Sequence, residues 1–169
     1  LLPLALTVYF SRYIVQVGAG QTFRESCAWA PALGVELSFY LDGLGLLFAL
    51  LISGIGTLVV IYGGGYLAGH RHLGRFYAFL LMFMASMLGV VLADNLFTLY
   101  VFWELTSLTS FLLIGFEHER EEARKAAWQA LLVTSGGGLA MLAGLVLLGQ
   151  VGGTMEISGL ASQGAATNP

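Results

Sequence analysis

One carboxylate in this sequence stands inside an otherwise uncharged apolar stretch. Glu104 is the only charged residue of segment 95–116, NLFTLYVFWELTSLTSFLLIGF. In a helix rising about 1.5 Å per residue, Glu104 lies roughly 14 Å from one end of the segment and 18 Å from the other. A helix of this length crosses a hydrocarbon core about 30 Å thick, which places the carboxylate near mid-depth. Ionisable groups at that depth are costly and usually mark ion routes, so we predict that Glu104 binds a proton there.

Four further polar residues are candidates for the same ion path. Ser107 and Tyr100 lie three residues after and four residues before Glu104, on the same helical face, where they could hydrogen-bond the carboxyl or hold water. Asp94 lies in the turn before this helix, and Thr134 opens the run TSGGG inside a later helix. Packing explains that run, and a locally opened turn lining a water path is the alternative. For Glu104 itself, the alternative is a buried glutamate that only joins helices.

The elements that position these residues are apolar throughout. The chain has 169 residues, of which 57% are hydrophobic and only 10% charged, whereas soluble domains carry about 25% charged residues. The net charge of −3 gives no reason to expect nucleic-acid binding. Cys27 is the only cysteine, so an internal disulfide is excluded. The composition predicts an all-α, polytopic membrane helix bundle.

Five membrane helices are predicted within a single transmembrane domain that covers residues 1–169. The five apolar runs are residues 1–17, 44–62, 76–93, 95–116 and 126–150. Residues 151–169 are small and polar and are predicted to form a loop. The sequence starts inside an apolar run without a methionine, so we expect a fragment of a longer membrane subunit, truncated at both ends.

The connections carry turn and cap signals. Residues 35–39, VELSF, alternate apolar and polar side chains and favour a short strand or hairpin at the surface. Asp42 is interpreted as the N-cap of the second predicted helix, with a role in proton uptake as the alternative. The run Gly63–Gly65 is predicted to end that helix, and Asp94 or Asn95 to cap the helix of Glu104.

Other clusters favour structural interpretations. The histidines at 70 and 72 lie in a short basic loop without a further nearby ligand, so no metal site is predicted, and no cofactor site either. Segment 117–125, EHEREEARK, is typical of a solvated helical surface. Gly136, Ala140 and Gly144 form a ridge of small residues suited to helix packing.

The basic residues predict an orientation in the membrane. They concentrate in loops 63–75 and 117–125, whereas the connections on the other side contain only Arg24. By the positive-inside rule, loops 63–75 and 117–125 are cytoplasmic. Asp42, Asp94 and the C-terminal segment are then predicted on the opposite side.

Four strings between Phe39 and Leu148 resemble the MrpA subunit of the Mrp-type multisubunit Na⁺/H⁺ antiporters. They are FYLDGLGLLFALLISGIGTLVVIY, FYAFLLMFMASMLGVVLADN, LYVFWELTSLTSFLLIGF and ALLVTSGGGLAMLAG. The WELTS string followed by SFLLIGF resembles the MrpA subunit more than the related proton-pumping subunits of respiratory complex I.

The resemblance implies a secondary transporter subunit, not an enzyme, that exchanges Na⁺ for H⁺ in a bacterial inner membrane together with other antiporter subunits. It implies that Glu104 is the family's essential intramembrane glutamate, whose partner lysine lies on a later helix outside this chain. Some relatives carry a lysine where this chain has Gln129. If that lysine takes part in a proton relay, the relay here differs or uses water.

Three classes of function remain open from the sequence. The first is the antiporter subunit. The second is a proton-translocating membrane subunit of a complex I or membrane-bound hydrogenase type NAD(P)H/quinone oxidoreductase. The third is a structural membrane subunit in which Glu104 only holds helices together.

Overall fold

A computed structural model describes residues 2–30, 35–67 and 72–166. It has nine elements in chain order: α1 (Leu2–Ser11), α2 (Ile14–Gly18), β1 (Phe23–Ala30), β2 (Val35–Leu41), α3 (Gly43–Tyr66), α4 (Leu73–Leu92), α5 (Leu96–Ile114), α6 (Glu121–Gly152) and α7 (Ile157–Ala166). Within the described ranges, α3, α4, α5 and α6 are long and apolar enough to cross a membrane. The predicted membrane helix bundle is confirmed.

The first predicted span is broken, so four candidate spans replace the predicted five. α1 has only ten residues and ends at Ser11, and a turn at Arg12 and Tyr13 separates it from the five-residue α2. The exposed Arg12 interrupts the apolar run at this turn. α1 nevertheless packs against α3, because Phe10 joins a small buried cluster with Leu46.

α3 begins as predicted but ends later. The Asp42 side chain caps it by accepting a hydrogen bond of 2.7 Å from the Gly45 backbone N–H, which confirms the predicted N-cap. The prediction that Gly63–Gly65 ends the helix is wrong, since α3 runs on to Tyr66. Glycine lowers helix stability in water, but in an apolar environment the backbone must keep its internal hydrogen bonds. The Tyr77 ring of α4 packs over Gly63 and Gly64.

The expected surface strand is part of an antiparallel hairpin. β1 pairs with β2 from Phe23 opposite Leu41 to Ala30 opposite Val35, with an irregularity between Ala28 and Ala30. The alternation in residues 35–39 indicates β2 and allows a hairpin, and of these two alternatives the structure has the hairpin, with β1 as the second strand. The hairpin reaches the helices through a backbone bridge between Phe39 and Ala93, at the end of α4.

α5 packs between α4 and α6, and glycines allow the close approaches. At Gly89 of α4, a Cβ atom would collide with the ring of Phe102 of α5. At Gly149 of α6, a Cβ atom would collide with Met155. The predicted small-residue ridge does not make these contacts, because nothing lies within 4 Å of a Cβ placed at Gly136 or Gly144.

The C-terminal part differs from its prediction in two ways. α6 begins at Glu121, so most of the charged run forms its first turns. The prediction of a loop over residues 151–169 is wrong for residues 157–166, which form α7. Backbone contacts explain why this small, polar segment folds: the Leu96 N–H donates to the Met155 carbonyl, and the Ile157 N–H donates to the Asp94 carbonyl.

The connections separate into two groups at opposite ends of the long helices. The hairpin, Asp42, the turn at Asp94 and the start of α7 meet at one end. At the other end, the Arg75 guanidinium donates to the Phe116 carbonyl (2.9 Å), which joins the start of α4 to the loop after α5. The two groups are those that the basic-residue pattern placed on opposite sides.

Candidate functional site

Glu104 lies near the middle of α5, eight residues after Leu96 and ten before Ile114. These separations correspond to about 12 Å and 15 Å along the helix axis. The helix is fixed at its start by Asn95, whose side-chain oxygen accepts hydrogen bonds from the backbone N–H groups of Phe97 (2.9 Å) and Thr98 (3.4 Å). Of the two residues predicted as caps, Asn95 therefore fills the role.

The Glu104 carboxyl faces α6 at Gly138. A Cβ atom at Gly138 would overlap Glu104 Oε1, and the three heavy atoms nearest to that position all belong to the Glu104 carboxyl. Oε1 is buried and has no hydrogen-bond partner among the described residues. On the side that faces α6, the carboxyl is therefore positioned by steric contact with Gly138. Among the described residues it has neither an ion pair nor a strong hydrogen bond there.

The predicted neighbours on α5 differ in what they contribute. The Tyr100 hydroxyl interacts with the Glu104 carboxylate, as the spacing of four residues predicts. Ser107 is buried, at 5% exposure, but its hydroxyl donates to the Trp103 carbonyl of its own helix at 3.4 Å. Tyr100 is thus the polar side chain that α5 brings to Glu104.

Thr134 lies one helical turn before Gly138, on the same face of α6. Its side chain is exposed, and its hydroxyl donates to the backbone carbonyls of Ala130 (2.8 Å) and Leu131 (3.2 Å). α6 is helical through residues 134–138, so the alternative of an opened turn there is wrong. The glycine run was interpreted as packing, but its specific contact with Glu104 was missed.

Asp94 lies at the end of the bundle, ten residues before Glu104 in the chain. It is only 2% exposed, and its Oδ2 forms an ion pair with Arg24 Nε of β1 at 3.1 Å. It also accepts hydrogen bonds from the backbone N–H and the hydroxyl of Ser158, each at 2.9 Å. Arg24 pairs with Glu156 as well. Asp94 therefore joins the hairpin, the α4–α5 turn and α7.

Sequence reasoning missed the partners of Asp94, because they lie about 64 and 70 residues away in the chain. The one available signal was that Arg24 is the single basic residue of the connections predicted on that side. Its hydrogen bond to Glu156 raises the pKa of the Arg24 guanidinium above its ordinary value. Since that ordinary value is already far above neutrality, Arg24 stays charged over the physiological range.

The described residues of the basic end form a small contact network around Arg75. Arg75 lies within hydrogen-bond distance of His118 Nδ1, at 3.2 Å. The histidine at position 70 and the arginine at 71 lie outside the described residues. Within residues 2–30, 35–67 and 72–166, no group of three or more potential ligands could hold a metal ion.

Comparisons with known families agree with the membrane helix fold. Residues 93–168 match a family model described as NADH:quinone oxidoreductase/Mrp antiporter, transmembrane. Residues 29–77 match a second model, described as the N-terminus of chain 5 of NADH-ubiquinone oxidoreductase (complex I). The first match includes Glu104, Gly138, Asp94 and Ser158. Arg24, the ion-pair partner of Asp94, lies outside it.

Individual relatives are also subunits of antiporters and of complex I. The chain is 50% identical over 146 residues to the A1 subunit of the Na⁺/H⁺ antiporter of Staphylococcus aureus, covering 86% of this chain but only 18% of that protein. It superposes on a chain of the Mrp complex from Dietzia with a TM-score of 0.76 and 35% identity, covering 92% of this chain and 17% of the other. It also superposes on a chain of respiratory complex I from Thermus thermophilus with a TM-score of 0.66 and 29% identity, covering 82% of this chain and 28% of the other.

Proposed function

Because residues 93–168 match the model of the membrane subunits shared by the Mrp antiporters and NADH:quinone oxidoreductase, we propose that this chain belongs to that family and is part of an Na⁺/H⁺ antiporter subunit in which Glu104 carries a proton. The observation that carries the proposal is the mid-helix carboxyl of Glu104, seated against α6 with one buried oxygen that lacks a described partner. Identity favours the antiporter over its redox-driven relatives, because in structural superposition it is 35% to the Mrp complex chain and 29% to the complex I chain.

The chemistry proposed for Glu104 is reversible proton binding in a water-lined path. A carboxyl that forms no ion pair with any described residue can gain and lose a proton without breaking contacts between helices. The approach of a lysine from a helix outside this chain would favour the carboxylate and so release the proton. Opening and closing that pair would couple proton movement to sodium movement in the opposite direction. The membrane potential supplies about 2.3 kcal/mol per charge per 100 mV, enough to bias such a switch.

The surroundings of the subunit belong to the same proposal. The basic segments 63–75 and 117–125 lie on the cytoplasmic side of a bacterial inner membrane, and the Asp94 end faces outward. Other antiporter subunits form the complex, and the transported ions are Na⁺ and H⁺. No enzymatic step of its own is assigned to the chain. Asp94 and Thr134 make structural hydrogen bonds and stay candidates for lining the ion path. Ser107 remains a candidate for lining the path.

Replacement of Glu104 by glutamine tests the proposal. Glu104→Gln keeps the shape of the side chain and removes its titration, so sodium-dependent proton exchange in membrane vesicles should fall to background. The matched control is Glu117→Gln, which removes a carboxylate from an exposed residue just beyond the end of the same helix. Its exchange should stay within about twofold of the wild type. Full exchange in Glu104→Gln would refute the proton-carrying role.

The alternative is a proton-translocating subunit of an NAD(P)H/quinone oxidoreductase, favoured by the match of residues 29–77 to a complex I family model. The neighbouring genes separate the two functions. Genes for small antiporter subunits would support the antiporter, whereas genes for dehydrogenase and iron–sulfur subunits would support the oxidoreductase.

A further inference from the structure

Gly138 differs from the other glycines of α6 because it contacts the Glu104 carboxyl. At Gly149, the atoms that a Cβ would meet are apolar side-chain atoms of Met155 and Leu96, as in ordinary helix packing. At Gly138, the three nearest atoms are Oε1, Cδ and Oε2 of Glu104. At Gly136 and Gly137, nothing lies within 4 Å. The space left by the missing side chain of Gly138 is therefore filled by one carboxyl group.

From this contact we infer that Gly138 is a positioning residue: its missing Cβ forms a seat that fixes where the Glu104 carboxyl takes up and releases its proton. The inference rests on the proposed function of Glu104 and adds a residue on a second helix to it. Gly138 itself is buried, and so is the Oε1 atom that it meets.

Gly138 restricts the position of the Glu104 carboxyl by steric contact and adds no charged group beside it. The glycine Cα–H groups make at most weak contacts with a carboxyl oxygen, so they do not trap it in one protonation state. A salt bridge or a strong hydrogen bond at this point would favour the carboxylate. A glycine thus holds the carboxyl in place while leaving the proton free to exchange.

Helix propensity alone predicts that the test substitution, Gly138→Ala, stabilises the protein, whereas the contact with Glu104 predicts a loss of function. Alanine is a better helix former than glycine by about 1 kcal/mol, so Gly138→Ala alone should stabilise α6. A loss of function in Gly138→Ala must therefore come from the added methyl group meeting its neighbour. The same substitution at Gly137 adds a methyl group to the same helix without that contact.

A double-mutant cycle in the full-length subunit, within the complex in its native membrane, tests the inference. Displacing a reacting group by about 1 Å can cost up to about 100-fold in rate, so Gly138→Ala should lower sodium-dependent proton exchange at least tenfold. Glu104→Asp withdraws the carboxyl by one methylene group and makes room for the methyl. In the Glu104→Asp background, Gly138→Ala should therefore cost no more than about twofold. Gly137→Ala should have the same small effect in both backgrounds.

The thermal midpoint of the purified complex gives a second readout for the same variants. It reports the collision even where Glu104→Asp is itself inactive or Gly138→Ala assembles poorly. The change in midpoint caused by Gly138→Ala should be less favourable in the wild-type background than in the Glu104→Asp background, where the methyl group has room. An equal penalty of Gly138→Ala in both backgrounds, in exchange and in thermal midpoint, would overturn the inference.

Failure of this inference is distinguishable from failure of the proposed function. Should Glu104→Gln retain full exchange, the proton-carrying role fails, while the thermal cycle still reports whether Gly138 seats the side chain. Should Glu104→Gln abolish exchange while Gly138→Ala behaves like Gly137→Ala, only the role of Gly138 fails.

Discussion

Two acidic residues of the chain, Glu104 and Asp94, have buried carboxyl oxygens in opposite chemical settings. Asp94 has an arginine partner and accepts two hydrogen bonds from Ser158. Glu104 has a tyrosine neighbour on its own helix and a glycine on the next, with one oxygen unpartnered among the described residues. Protonation of Asp94 would weaken contacts between three elements, whereas protonation of Glu104 breaks no described ion pair. Glu104 is therefore the better candidate for a titrating group.

The structural role of Asp94 predicts a loss of stability in Asp94→Asn. The variant keeps the side-chain shape but leaves Arg24 with Glu156 alone, so we expect a cost of about 2 kcal/mol, below the full value for a broken buried pair because Arg24 is partly exposed. The thermal midpoint of the purified protein should fall.

The control for that measurement is Asp42→Asn. Asp42 also accepts a backbone hydrogen bond, but asparagine serves as an N-cap about as well as aspartate. Its thermal midpoint should stay close to that of the wild type. Equal midpoints for Asp94→Asn and the wild type would show that the ion pair with Arg24 contributes nothing.

At the scale of single residues, the sequence was informative where chemistry and spacing were local. The Asp42 and Asn95 caps, and the pairing of Tyr100 with Glu104, follow from separations of two to four residues. The partners of Asp94 and the glycine opposite Glu104 lie more than 30 residues away. Periodicity does not contain that information, because it depends on which helices become neighbours.

At the scale of elements, the close packing of α4 on α5 depends on Gly89. A methyl group there would collide with the Phe102 ring, and overpacking of this kind typically costs about 1–3 kcal/mol. We therefore expect Gly89→Ala to lower the thermal midpoint of the protein, although alanine favours the helical conformation.

Gly74→Ala is the matched control on the same helix, since nothing lies within 4 Å of a Cβ at that position. It should leave the thermal midpoint unchanged or raise it slightly. A midpoint for Gly89→Ala as high as that of Gly74→Ala would contradict the close packing of α4 on α5.

The errors in the predicted elements have a common physical origin. Helix α3 passes through three glycines, and α7 forms from a small, polar segment, so local propensity failed in both directions. Inside the bundle, backbone groups need internal partners and the helix continues. At the end of the bundle near the hairpin, Asp94 and neighbouring backbone groups provide the contacts on which α7 starts. Tertiary context decided both cases.

At the scale of the whole molecule, the two groups of connections predict which side each faces. Cys27 is exposed on β1, at the Asp94 end, and offers a natural probe for labelling. In intact cells, a membrane-impermeant maleimide should label Cys27 from outside once it can reach the inner membrane. In a Cys27→Ser background, Glu119→Cys should be labelled only in inverted vesicles. Labelling of Glu119→Cys from outside would reverse the proposed orientation.

Many apolar side chains of the long helices remain exposed, such as Leu132 at 69% and Leu58 at 66%. The chain also spans only 18% of the length of its antiporter relative. Lipid, other parts of the same protein or other subunits would cover such faces in a membrane complex. Full transport therefore has to be measured in the complete assembly, as in each functional experiment above.

The most direct test of the central claim is infrared difference spectroscopy of the complete complex between high and low pH. A protonated carboxylic acid in an apolar site has a carbonyl-stretch band that the carboxylate lacks. If Glu104 takes up a proton, one such band should appear in the wild type and be missing in Glu104→Gln, with Glu117→Gln as the unchanged control. Identical difference bands in the wild type and in Glu104→Gln would show that Glu104 does not titrate and would contradict its proton-carrying role.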